Sequence, residues 1–282
     1  MNAGLCELRL PIDGIDTPLL TGGDGHSSEA VLFVHGNPGS GRDWEALAAG
    51  AAEFMRVLAP DLPGYGRAAK PDAFPCTVES YAAHLDALLR AQQVQRVHLV
   101  LHDLGGAWGL AWAALHPHQL ASLTLINTGV LLDYRWHIAA RIWQTPLLGE
   151  LFQLLATRGA FHRSLQLRGA RPLPRAFIDR MYDDYDAATR RAVLRTYRSM
   201  RQPQEQIEPW LPALRALQVP TQVIWGARDP YIPANYAQRQ REIFAQAQVT
   251  LLEDSGHWPF ADHPERVAQL LLPFLRSVRS VR

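Results

Sequence analysis

Short, uniformly apolar runs alternate with longer segments in which apolar residues recur every three or four positions along much of this chain. Runs at 30–34, 56–60, 97–101 and 120–126 are rich in Val, Leu and Ile and too short for surface helices, so they read as strands buried on both faces. Segments 44–54, 78–91 and 108–116 carry the helical period between them. This alternation is the signature of a parallel sheet wound with helices. The pattern resumes with strands at 221–225 and 248–252 and a last helix at 264–278, which makes both ends of the chain parts of one sheet.

Strand signals vanish from 129 to 217, where the sequence becomes helical and rich in Trp, Tyr, Arg and Leu. Pro172 and Pro174 interrupt it, predicting several short helices rather than one long one. An insertion after a sheet strand is expected over the carboxyl ends of the strands, where α/β sheets place their ligands. The predicted organisation is therefore a core of 1–128 and 218–282 with a helical lid, or cap, of 129–217.

Composition narrows the function. Of 282 residues, 48% are hydrophobic and 20% charged, enough apolar surface for one large core. Lys and Arg number 28 against 27 Asp and Glu, so the net charge of +1 predicts no nucleic-acid partner and no membrane partner. Arg158, Arg163, Arg168, Arg171 and Arg175 cluster locally and read as a solvated surface. Cys6 and Cys76 form no metal-ligand pattern, and no metal site is expected. The first residues carry neither a basic leader nor an apolar run of signal length, and no stretch approaches transmembrane length, so the cytoplasm is the expected location.

The chemistry concentrates just past the strands. Residues 98–106, His-Leu-Val-Leu-His-Asp-Leu-Gly-Gly, deliver Asp103 into a strand-to-helix turn whose glycines permit close backbone approach. A carboxylate is already an anion near neutral pH and can attack a saturated carbon, whereas a hydroxyl must first lose a proton. On this segment alone Asp103 could equally be a helix cap. Three further loops decide between the two. His35-Gly36-Asn37-Pro38 can aim the amide of Asn37 at a reacting centre, where the amide of Leu104 would meet it as an oxyanion hole. Asp229 and His257 each stand on a loop past a strand and complete the order nucleophile, acid, base. Asp254 is the weaker acid because it lies too near His257 in sequence. His116, His118 and His263 read as surface or helix-end residues, and His35 and His102 as loop-holding hydrogen-bond partners.

With His35–Pro38, Asp61-Leu62-Pro63-Gly64-Tyr65-Gly66, 102–106, 226–229 and Gly256-His257 in place, the chain resembles the aspartate-nucleophile branch of the α/β-hydrolase fold, the epoxide hydrolases and haloalkane dehalogenases. The resemblance implies an α/β fold with an eight-stranded, mostly parallel sheet flanked by helices and an inserted helical cap. It implies no metal and no organic cofactor. Asp103 would form an alkyl ester that water, activated by His257 and Asp229, hydrolyses.

Epoxide opening needs an acid in the lid. Tyr197, with Arg198 after it, resembles the family's second lid tyrosine, while Phe152 stands where the first would be and has no proton to donate. Tyr134 or His162 could substitute. Tyr134, Tyr182 and Tyr185 read first as lid packing with the hydroxyl in water. Trp143, Phe152 and His162 are candidate substrate contacts, and Trp136, Phe161 and Phe177 further aromatic candidates. Dehalogenases place tryptophan directly after the nucleophile, and Leu104 offers no such donor, although the side chain of Asn37 matches that branch. Trp108 is expected to point elsewhere. Epoxide hydrolysis of a small apolar substrate is the favoured reading, halide release the alternative, and a non-catalytic ligand receptor on the same fold the reading from another class.

Overall fold

All six apolar runs form strands in the computed structural model, which describes residues 4–166 and 171–280. In chain order the core elements are β1 Leu5–Ile12, β2 Ile15–Gly22, β3 Glu29–Val34, α1 Glu45–Ala52, β4 Arg56–Pro60, α2 Val78–Ala91, β5 Arg96–His102, α3 Leu104–Leu115 and β6 Leu120–Ile126. Helices α4 Ile138–Gln144, α5 Leu148–Leu154, α6 Arg158–Gln166, α7 Arg175–Asp183, α8 Ala187–Ser199, α9 Pro203–Ile207 and α10 Leu211–Ala216 intervene. The core then closes with β7 Thr221–Gly226, α11 Asn235–Arg239, β8 Gln248–Leu252, α12 Pro259–Asp262 and α13 Pro264–Val278. The eight strands form one sheet in the order β1-β2-β4-β3-β5-β6-β7-β8, antiparallel at β1–β2 and β2–β4 and parallel elsewhere.

Two strands escape the periodicity reading. β1 is largely exposed, so its alternation is weak, and the better signal is the Asp13-Gly14 turn, both residues at positive φ (47° and 77°). That turn matches the twist of an antiparallel hairpin. α3 starts at Leu104 rather than 108, because Gly105 and Gly106 depress helix propensity over its first turn. The predicted helix at 44–54 is a 3₁₀ turn, Gly41–Trp44, followed by α1.

The order positions the site. From β3 the chain moves to β4 on one side and then returns to β5 on the other, so the loops after β3 and β5 separate at a topological switch point. Val34 pairs with Leu101, which brings 35–38 and Asp103 to the same level. The helices between β6 and β7 attach to this end through Arg42–Asp184 (2.6 Å), Arg180–Asp43 (3.0 Å) and contacts of Arg195 with the carbonyls of Pro71 and Phe74. The arginine cluster is surface: Arg158 pairs with Asp179 and Asp183, and Arg171 contacts His263. Arg168 lies outside the described residues. Among the described residues no helix is long and apolar enough to cross a membrane.

Trp108 is fully buried and stacks on Tyr81 at 4.1 Å between centroids, beneath the 35–38 loop. Trp108→Ala is expected to lower the unfolding free energy by about 3–5 kcal/mol through lost burial and a cavity. Urea denaturation would register this as a lower midpoint at an unchanged slope.

Candidate active site

Asp103 occupies the turn between β5 and α3 at φ 50°, ψ −126°, a strained conformation for a residue with a side chain. Its surroundings enforce it. A Cβ on Gly36 would strike the Asp103 carboxyl, and one on Gly106 would strike Thr128, whose hydroxyl donates to the Asp103 carbonyl at 2.7 Å. Only glycine at those two positions lets the turn close.

The carboxylate meets two partners. The Asn37 amide donates to Asp103 Oδ1 at 2.7 Å, and His257 Nε2 lies 3.4 Å from Oδ2. His257 Nδ1 is 2.7 Å from Asp229 Oδ2, so one imidazole bridges two acids. Asp229 is itself saturated. Its Oδ1 accepts the amides of Tyr231 (2.7 Å) and Ile232 (3.0 Å), and its Oδ2 also accepts Asn127 Nδ2 (2.7 Å). Asn127 Oδ1 accepts the Gly226 amide at 2.9 Å, tying the ends of β6 and β7 together. His102 Nε2 donates to the His257 carbonyl at 2.8 Å, and Asp262 accepts Ser255 Oγ and the Gly256 amide, so the 255–257 loop is held from two sides. His35 Nε2 accepts the Leu62 amide, which puts the proton on Nδ1 for the Gly36 carbonyl.

Burial alone would raise the pKa of Asp103, but the hydrogen bond and charge of His257 outweigh it and draw it well below the usual carboxylate range. Burial alone would lower His257, but the charge of Asp229 and the hydrogen bond to Asp103 lift it above the usual imidazole range. Both shifts favour the ionic form of the pair.

A cavity of about 360 Å³ opens on this constellation, lined mainly by apolar side chains together with Asp103, His257, Tyr197 and Tyr185. A smaller one of about 60 Å³ touches Asp103 and Leu104 from the other side, beneath Tyr134, Trp136 and Met200. The buried Tyr197 hydroxyl accepts Asn37 Nδ2 at 3.4 Å, and among the described residues no group accepts its own proton. Burial and the Asp103 charge raise its pKa well above the ordinary phenol value.

Asp103, His257, Asp229, Asn37, Leu104, Tyr197, Trp143 and Phe152 therefore converge on one region, with Phe152 at the cavity mouth. His162 does not join them. α6 turns Phe161, Ser164 and Leu165 toward the cavity and His162 outward, where its Nε2 meets Asp179 Oδ1 at 2.9 Å. Asp254 also lies apart, paired with His263 at 3.2 Å. Two tyrosine expectations need correction. The Tyr134 hydroxyl is buried and donates to the Tyr231 carbonyl at 3.0 Å, and the Tyr185 hydroxyl lines the cavity and accepts Gln153 Nε2 at 2.9 Å. Asn127, Asp262 and Tyr185 carried no periodic signal. For Asn127, its place directly after a strand was the available clue.

Fold and site together describe an α/β hydrolase. The chain belongs to the alpha/beta hydrolase fold family, whose description matches residues 29–264. It is 30% identical over 275 residues to a cis-3-alkyl-4-alkyloxetan-2-one decarboxylase of Xanthomonas campestris, spanning 88% of this chain and 87% of that protein. Among solved structures, the haloalkane dehalogenase DatA of Agrobacterium tumefaciens superposes with a TM-score of 0.84 at 22% identity, covering 98% of both chains. The epoxide hydrolase CorEH does so with a TM-score of 0.82 at 19% identity, covering 98% of this chain and 100% of that one. These two likenesses establish the fold.

The ionic pair sets the sign of a pH effect. A histidine whose folded pKa is raised contributes stability that is complete below its unfolded value of 6.5 and is lost as pH climbs toward the folded value. The stability difference between wild type and His257→Gln is therefore expected to narrow as pH rises above 6.5, read by urea denaturation at several pH values. In Asp103→Asn, which removes one of the two acids, the imidazole is expected to titrate at lower pH than in wild type, followed by NMR of the ring nitrogens.

Proposed function

We propose that this hydrolase opens epoxides through an alkyl-enzyme ester on Asp103. The carboxylate attacks one ring carbon, the carbon–oxygen bond breaks, and the leaving oxygen takes the Tyr197 proton. Ester formation removes one of the two charges that hold the proton on His257, so the imidazolium returns a proton through the shared cavity to the Tyr197 phenolate left by ring opening and can then act as a base. It takes a proton from water attacking the ester carbonyl carbon, with the amides of Asn37 and Leu104 receiving the charge on the carbonyl oxygen. Release yields a vicinal diol and restores Asp103. Residues 129–217 serve as the cap that keeps bulk water out.

One observation carries this reading: Asn37 spans the two reacting groups, its amide on the Asp103 carboxylate and its side chain on the Tyr197 hydroxyl. An acid on the insertion thus shares the cavity with a carboxylate on the core. The raised pKa of Tyr197 suits a donor that must stay protonated. Tyr185, pushed up to about 12 by burial, is another tyrosine of the cavity and takes the supporting role that Phe152 cannot.

Halide release is the second reading, favoured by the Trp143 indole N–H, which is buried in the cavity wall without a partner and could face an anion beside Asn37 Nδ2. The oxetan-2-one of the Xanthomonas relative is another strained oxygen ring, and belongs in the same substrate panel.

In single turnover with ¹⁸O-labelled water, label is expected in the Asp103 carboxyl, and Asp103→Asn is expected to lose turnover. Tyr197→Phe should lower the rate of diol formation by about 10²–10⁴-fold while leaving bromide release from matched bromoalkanes nearly unchanged. Bromide without diol would reverse the order of the two readings. Ligand binding with no label in Asp103 would leave only the receptor reading.

A further inference from the structure

Helix α5 is folded inside out. Gly149 and Gln153 face the protein, Gln153 at 4% exposure, while Leu148, Leu151 and Leu154 face water. Leu147, just before the helix, is 84% exposed and held at φ 66°, a strained conformation for leucine. Of the nine large apolar side chains exposed among the described residues, seven fall between 138 and 155. Contiguous apolar surface of this kind marks a contact site rather than ordinary solvent-facing packing.

Charge and continuity specify the contact. Between 134 and 166 the sequence carries four arginines (Arg135, Arg141, Arg158, Arg163) and one acid, Glu150, and of these arginines Arg158 is taken by Asp179 and Asp183. Glu150 is taken by Arg198 at 2.8 Å. The exposed Arg141 and Arg201 line the same surface groove as Ile138 and Leu148, so positive charge borders the leucines. Phe152 and Leu155 belong to the exposed patch and also line the cavity that holds Asp103. A protein seated there would stop the cavity mouth. A fluid lipid surface would instead place it in the phase where an apolar substrate concentrates.

We propose that this face docks on an anionic lipid surface, with the α5 leucines in the acyl boundary, Arg141 and Arg201 at the phosphates, and apolar substrate entering from the lipid. The expectation of no membrane partner rested on total charge and on spanning segments, neither of which measures a local patch.

The test is flotation of the full chain with vesicles of equal parts phosphatidylcholine and phosphatidylglycerol, and with phosphatidylcholine alone. Wild type is expected to float with the anionic vesicles. Leu151→Glu/Leu154→Glu should reduce its partitioning about tenfold or more. Arg141→Gln/Arg201→Gln, a milder change that leaves the leucines intact, should weaken anionic binding and its salt sensitivity. None of these four residues lines the cavity, so activity on a water-soluble epoxide is retained. Wild type that stays with the lipid-free fraction would overturn the proposal. So would leucine variants that float equally, or a dimer in analytical ultracentrifugation that Leu151→Glu/Leu154→Glu dissociates. Vesicle binding is read without turnover, so it stands or falls separately from the epoxide reading.

Discussion

A carboxylate cannot stay ionised in an apolar cavity unless fixed donors replace the water it surrenders, and the loops around Asp103 are organised by that requirement. The Asn37 amide and the His257 imidazole meet its two oxygens. Each donor needs its own restraint. His257 is held by Asp229, Asp229 by two amides and Asn127, and Asn127 by the Gly226 amide. The backbone strain at Asp103 fits this logic, since it is tolerated only because Gly36 and Gly106 leave the turn no steric obstacle.

The same compensation orders events in the proposed reaction. While Asp103 is charged, His257 carries a proton and cannot act as a base, so water is not activated before substrate has reacted. Alkylation neutralises Asp103, and the proton it held on the imidazole can pass to the Tyr197 phenolate that ring opening leaves, which frees His257 for the second step. No conformational change is needed to separate the two steps, because the protonation state follows from which charges surround one ring.

Much of the core was legible because its signals are local. Asp103, Asp229 and His257 each follow an apolar run, and a strand end fixes where a side chain must lie. The helical insertion was legible only as helical. His162 shows the reason: periodicity identifies a face on α6 without saying which face meets the cavity, and Asp179 draws His162 to the outer one. Tyr185 was misjudged for a related reason, since its partner Gln153 is a polar residue buried on a helix whose leucines point outward. Any reading that puts leucine inside and glutamine outside inverts α5. Net charge is likewise silent about position, because a sum does not say that Arg141 and Arg201 stand beside Ile138 and Leu148.

The tie between insertion and core runs through one short stretch. Residues 35–44 carry His35, the Asn37 amide and side chain, and then Arg42 and Asp43, whose ion pairs with Asp184 and Arg180 anchor α7 and its following turn. Tyr197 therefore reaches Asn37 from a layer fastened a few residues further along the same loop. A shift of the insertion large enough to break those pairs would also move the hydroxyl away from Asn37, so the acid–carboxylate pairing depends on the two ion pairs as well as on Tyr197 itself.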